Sequence, residues 1–123
     1  MKPILLFVFI FALNLSAKSQ VQTSFEKANT DLNLVYKKIV EEYKDDTAFL
    51  RCLKDAQRQW VKFRDAQVKM RFPPNEDADG SVLPMCRDQY LAKLTKQRID
   101  DLQEWLDGIS EGDVCSGSVR FKN

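Results

Sequence analysis

The sequence predicts an all-α fold: a small antiparallel three-helix bundle with a disulfide-tethered C-terminal tail. Three observations carry this. Apolar residues recur at helical spacing in three stretches, proline, glycine and capping residues bound those stretches, and no alternating pattern is long enough for a strand.

The first helix is expected to start near Thr23, where Thr23 and Glu26 can form a capping box. Phe25, Ala28, Leu32, Val35, Tyr36, Ile39 and Tyr43 make its apolar stripe. The second is expected to start near Asp46 or Thr47 and to stop at Pro73-Pro74, since neither proline can continue a helix. Its stripe is Phe49, Leu53, Ala56, Trp60, Phe63 and Met70, with Gln57 and Arg64 at the edge, where a helix that only packs would carry neither. The third opens around Pro84, a favourable first helical residue, and stops at Gly108. Its stripe is Leu91, Leu94, Leu102, Trp105 or Leu106, and Ile109, and residues after Gly108 form a tail. Short connections favour up-down-up order.

Residues 1–19 read as a secretory signal peptide and residues 20–123 as the helical domain. Lys2 supplies the positive start, Ile4 to Leu13 the apolar run, and Ala17-Lys18-Ser19 the small-x-small cleavage site. The apolar run is too short to span a bilayer, and no cysteine precedes Cys52 to take a lipid. The expectation is a soluble periplasmic or secreted protein with no membrane span and no lipid anchor. Removing Lys2 and Lys18 takes the formal net charge from +1 to −1, which argues against nucleic acid as a partner. The chain has no histidine, so it lacks the commonest general base and the commonest zinc ligand. No nucleophile with a nearby base is visible, and the chain reads as a non-enzymatic binding protein without cofactor or metal.

Three cysteines in an exported chain suggest one disulfide and one odd thiol. Antiparallel packing places the start of the second helix beside the end of the third, hence Cys52 near Cys115. Cys86 lies at the opposite pole, roughly 32 Å away along the third helix at 1.5 Å per residue. The expected bridge is therefore Cys52–Cys115.

Four segments together resemble the lysozyme inhibitor LprI N-terminal-domain family of exported bacterial proteins. They are LNLVYKK (Leu32 to Lys38), LKDAQRQWVKFRDAQ (Leu53 to Gln67), GSVLPM (Gly80 to Met85) and LTKQRIDDL (Leu94 to Leu102). The family pattern falls on Asn33, Tyr36, Gln57, Trp60, Arg64, Gly80, Ser81, Thr95 and Arg98. The resemblance implies a small helical domain and, with it, lysozyme as the partner to be inhibited. This chain departs from the pattern at Val68 and Tyr90, where many members carry a cysteine pair, and in having no lipid-anchor cysteine.

Arg64 and Arg98 sit among polar motif residues toward the middle of the bundle, with Asn33, Tyr36, Gln57 and Thr95 as candidate acceptors or neighbours. Two readings are open: a semi-buried polar network that fixes helix register, or a cationic groove for a carboxylate or sugar acid. Trp60 and Trp105 read as core anchors. Asn75 to Gly80 imitates the start of a calcium-binding EF-hand loop, but the twelfth position, where a bidentate glutamate belongs, is Cys86. An acidic connecting loop is the better account.

Acidic residues gather at one pole. Asp100, Asp101, Glu104, Asp107, Glu111 and Asp113 occur with no Lys or Arg between Arg98 and Arg120, and Glu41, Glu42, Asp45 and Asp46 join them at the first turn. Lysozymes are usually strongly basic, so this pole is the expected docking surface. The alternatives are a merely solvated helix end, and an envelope-associated domain that binds another protein or takes a small anion near Arg64 and Arg98.

Overall fold

A computed structural model describes residues 22–74 and 82–122. The signal-peptide reading and the acidic Asn75–Gly80 loop fall outside the described residues. Three helices follow in order: α1 (Ser24–Glu42), α2 (Thr47–Arg71) and α3 (Leu83–Asp107). Among the described residues no helix is long and apolar enough to cross a membrane.

The helix ends follow local chemistry. The Thr23 hydroxyl accepts from the Glu26 amide while the Glu26 carboxylate accepts from the Thr23 amide, completing the capping box. Asp46 caps α2 by accepting from the Phe49 amide. The helix ends at Arg71, just before the two prolines. Pro84 lies in the first turn of α3, and Gly108 ends it with φ 76°.

The core is built mainly between α1 and α3, which run parallel. Ala28, Leu32, Ile39 and Tyr43 from α1 and its C-cap are buried, as are Ala92, Leu94, Thr95 and Leu102 from α3, and Leu32, Ile39, Tyr43 and Leu102 share one cluster with Leu53 of α2. Asp88 accepts from the Phe25 amide at the N-terminal end of the pair, and Tyr43 donates to the Trp105 carbonyl at the other. The α2 helix runs antiparallel to both and touches them through long side chains. Its stripe is less buried than expected. Leu53 is buried, with Phe49, Leu50 and Trp60 packed against the core, but Ala56 is exposed, Phe63 is 64% exposed and Met70 73% exposed. Periodicity correctly groups these side chains on one side of the helix, yet the side is wider than the surface α1 and α3 offer it.

The disulfide-tethered tail is corrected. Cys52, Cys86 and Cys115 are all free thiols, and both Cys52 and Cys115 are exposed. Cys52 projects from the outer face of α2, and Cys115 lies on a surface loop of turns between Ser110 and Ser118. That loop returns on itself rather than running toward α2: Ile109 and Phe121 form a parallel bridge, with the Ile109 amide donating to the Arg120 carbonyl and the Lys122 amide to the Ile109 carbonyl.

Noncovalent contacts do the tethering. Tyr43 is 1% exposed, and its hydroxyl donates to the Trp105 carbonyl (3.1 Å) and accepts from the Arg120 amide (3.2 Å). The Arg120 guanidinium lies 4.1 Å from the Tyr43 ring centre and donates to the Glu42 carbonyl. The Trp105 indole donates to Ser118, and Lys122 binds Glu42 and the Leu106 carbonyl. Val119 is buried beneath this clamp. At the opposite pole, Tyr90 accepts from the Gln67 amide group, meets Phe72 edge-on and carries Arg71 over its ring. A tyrosine thus links α2 to α3 in the region where the family resemblance expects a cysteine pair.

Candidate functional site

Two surfaces bring together the residues singled out from the sequence. The first is a shallow groove between α2 and α3, about 330 Å³, whose walls include Trp60, Arg64, Leu94, Gln97, Arg98 and Asp101. Antiparallel pairing of the two helices places Gln57 opposite Arg98. The Arg98 Nε donates to the Gln57 Oε1 at 3.0 Å, and its guanidinium carbon stands 5.8 Å from the Trp60 ring centre. Burial lowers the pKa of Arg98 from the usual arginine value, and the nearby Asp101 carboxylate works in the opposite direction.

Arg64 is held more tightly. Its side chain is 11% exposed and binds the adjacent Asp65 through both Nε (2.9 Å) and a terminal nitrogen (2.8 Å). Its guanidinium carbon lies 5.2 Å from the ring centres of both Phe25 and Trp60. Trp60 therefore meets two guanidinium groups, an arrangement favoured by the negative face of the indole. Arg64 also links α2 to the first turn of α1 through Phe25.

The other motif residues stand apart from this group. Thr95 is fully buried, but its hydroxyl donates to the Leu91 carbonyl of its own helix at 2.8 Å. Tyr36 is half-buried against the core, and Asn33 is exposed on α1. Gly80 and Ser81 lie outside the described residues.

The second surface is the acidic pole. Asp100, Asp101, Glu104 and Asp107 are exposed along the C-terminal half of α3, and Glu111 and Asp113 are exposed in the tail loop. Asp107 accepts from the Gln103 side-chain amide and Asp113 from the Cys115 backbone amide. Asp100, Glu104 and Asp107 recur at helical spacing on the outer face of α3.

Part of the predicted acidity is consumed locally. Glu42 pairs with Lys122, Glu41 pairs with Lys44, and Asp46 is a helix cap. Sequence reasoning missed Arg120 and Lys122 as residues of this pole because it expected the Cys52–Cys115 bridge, rather than residues 119–122, to hold the tail. The only available signal was the short alternation Val119-Arg120-Phe121-Lys122. The pole that remains is narrower than expected, centred on α3 and the loop after it.

An uncharacterized protein from Rhizobium meliloti (strain 1021) is 33% identical over 94 residues, which is 68% of this chain and 66% of that protein. The chain therefore spans just under two thirds of the relative's length. No solved structure matches the chain. Residues 14–102, which include all of α1 and α2 and most of α3 with both groove arginines, match the family described as Lysozyme inhibitor LprI, and the chain belongs to that family.

Proposed function

We propose that the protein is an exported, non-catalytic inhibitor of lysozyme that works by docking its acidic α3 end on the basic enzyme. The carrying observation is the row Asp100, Glu104 and Asp107, exposed on the outer face of α3 and outside every ion pair of the described residues. Family membership supplies the partner class. Export is supported by Lys2, the apolar run Ile4 to Leu13 and the Ala17-Lys18-Ser19 site. Carboxylates on a helix C-terminal half oppose the helix dipole, a local cost that a cationic partner would offset. Long-range attraction of this kind raises association rate and falls with ionic strength.

The alternative is an envelope-associated domain that takes a small anionic ligand at Arg64 and Arg98. The groove is present, but Asp101 stands in its wall and Asp65 occupies two donors of Arg64. Both features disfavour an incoming carboxylate, and the groove is better read as the polar seam that registers α2 on α3 and α1.

Purified protein, lysozyme and a cell-wall substrate test the proposal. Micromolar protein is expected to slow lysis. A variant carrying Asp100→Lys, Glu104→Lys and Asp107→Lys is expected to lose inhibition while keeping its helical circular dichroism and melting temperature. Undiminished lysis with the wild-type protein refutes the inhibitor reading. Full inhibition by the charge-reversed variant refutes the docking surface alone.

A further inference from the structure

The outer face of α2 carries an unbroken heptad pattern. Cys52, Ala56, Gln59, Phe63, Ala66 and Met70 follow one another at alternating spacings of four and three, the period of a coiled-coil seam. All six are exposed, and none is charged. The charged residues of α2 fall elsewhere on its circumference: Asp55, Lys62 and Lys69 line one flank of this stripe. The α2 surface that meets α1 and α3 adjoins this stripe on its other flank and is built on Leu53, Trp60 and Arg64.

We infer that this stripe is a self-association surface on which α2 of a second copy lies antiparallel. The stripe is self-complementary in that direction. Reversing the partner sets Phe63 opposite Gln59 of the other copy, Ala56 opposite Ala66 and Cys52 opposite Met70, so every larger side chain faces a smaller or flexible one. Charge selects the same direction. On the flank, Asp55 of each copy, bound by Arg58 of its own helix at 2.5 Å, comes within reach of Lys69 of the other, giving two shared acidic–basic contacts against one Lys62–Lys62 contact at the two-fold axis. A parallel pair sets the Asp55, Lys62 and Lys69 flank against Trp60 and Gln67 and gains no ion pair. The alanines permit close approach of the helix axes. Phe63 and Met70 supply most of the apolar area, and Phe63 also reaches the rim of the α2–α3 groove. The surface is distinct from the acidic row on α3, so a dimer would present two such rows.

Sedimentation of the full mature chain, with Cys86→Ser and Cys115→Ser to leave one thiol, tests the inference. Reversible dimerisation is expected, weakened at least about tenfold by Phe63→Glu. Phe63 is already exposed, so that variant is expected to keep its helicity. Adding Met70→Cys to the single-thiol background and oxidising mildly is expected to give a covalent dimer through Cys52 and position 70, whereas the background alone gives none. A monomer at all concentrations, dimerisation unchanged by Phe63→Glu, or a Cys52–Cys52 dimer in the background protein overturns the antiparallel assembly.

Discussion

Replacing Tyr43 with Phe removes a single oxygen from the clamp that holds the tail. The ring stays, and with it the contact to Phe49 at 4.6 Å between centroids and the Arg120 guanidinium above its face. What is lost is the donation to the Trp105 carbonyl and the acceptance from the Arg120 amide. Each neutral hydrogen bond contributes about 1 kcal/mol net. The Trp105 carbonyl belongs to the last turn of α3, and its bond to Tyr43 is part-buried. Arg120 is exposed, so water can partly replace the hydroxyl at its amide. The sum is about 1–2 kcal/mol. For a domain of this size, about 4–8 °C per kcal/mol gives a fall in melting temperature of about 4–16 °C. Thermal unfolding by circular dichroism measures it, and amide hydrogen exchange locates it: protection at Ile109, Val119 and Lys122 is expected to fall before protection at Leu32. A loss smaller than about 0.5 kcal/mol, or a loss with exchange of the tail amides unchanged, would refute the clamp.

Three further outcomes are expected. The double variant Cys52→Ser, Cys115→Ser keeps its stability within about 0.5 kcal/mol under non-reducing conditions, since both thiols are free and exposed; a loss of about 2 kcal/mol or more would restore the disulfide. Gly108→Ala destabilises by more than about 1 kcal/mol in urea unfolding, because φ is 76° and a β-carbon would lie 2.8 Å from the Arg120 carbonyl oxygen; an unchanged midpoint would show that the tail is not seated there. Gln57→Leu leaves the half-buried Arg98 Nε without its acceptor and costs about 1.5–3 kcal/mol, the range for hydrogen bonds to charged groups; a neutral result would remove Gln57 from the polar seam.

The helix boundaries were legible because each rests on chemistry within a few residues: the Thr23–Glu26 box, the Asp46 cap, the paired prolines and Gly108. The side chains at Gln57, Trp60, Arg64 and Arg98 could be singled out because polar residues beside an apolar stripe need partners, though their pairing needed the helices in place. Asp65 could not be foreseen as the partner of Arg64, since neighbouring residues on a helix point about 100° apart and only a long guanidinium bridges them. The exposure of Phe63 and Met70 was hidden for another reason. Periodicity says which residues share a side, and the width of the neighbouring helices decides how much of that side is covered. The tail was the least legible, because its contacts are long-range: Arg120 meets Tyr43, a residue at the far end of a different helix, and no local pattern announces such a meeting.

That meeting sets an order of events. Tyr43 closes α1, yet its hydroxyl acquires both partners only when Trp105 and Arg120, 62 and 77 residues further along the chain, have been made. A chain made from its N-terminus therefore remains unfinished at this corner until Arg120 has arrived. Pairing α1 with α3 also spans the whole of α2 in sequence, so until α3 is made the first helix can bury only the part of its face that meets Phe49, Leu50 and Leu53. The corner at which α1 ends is thus closed by distant parts of the chain rather than by its own neighbours in sequence.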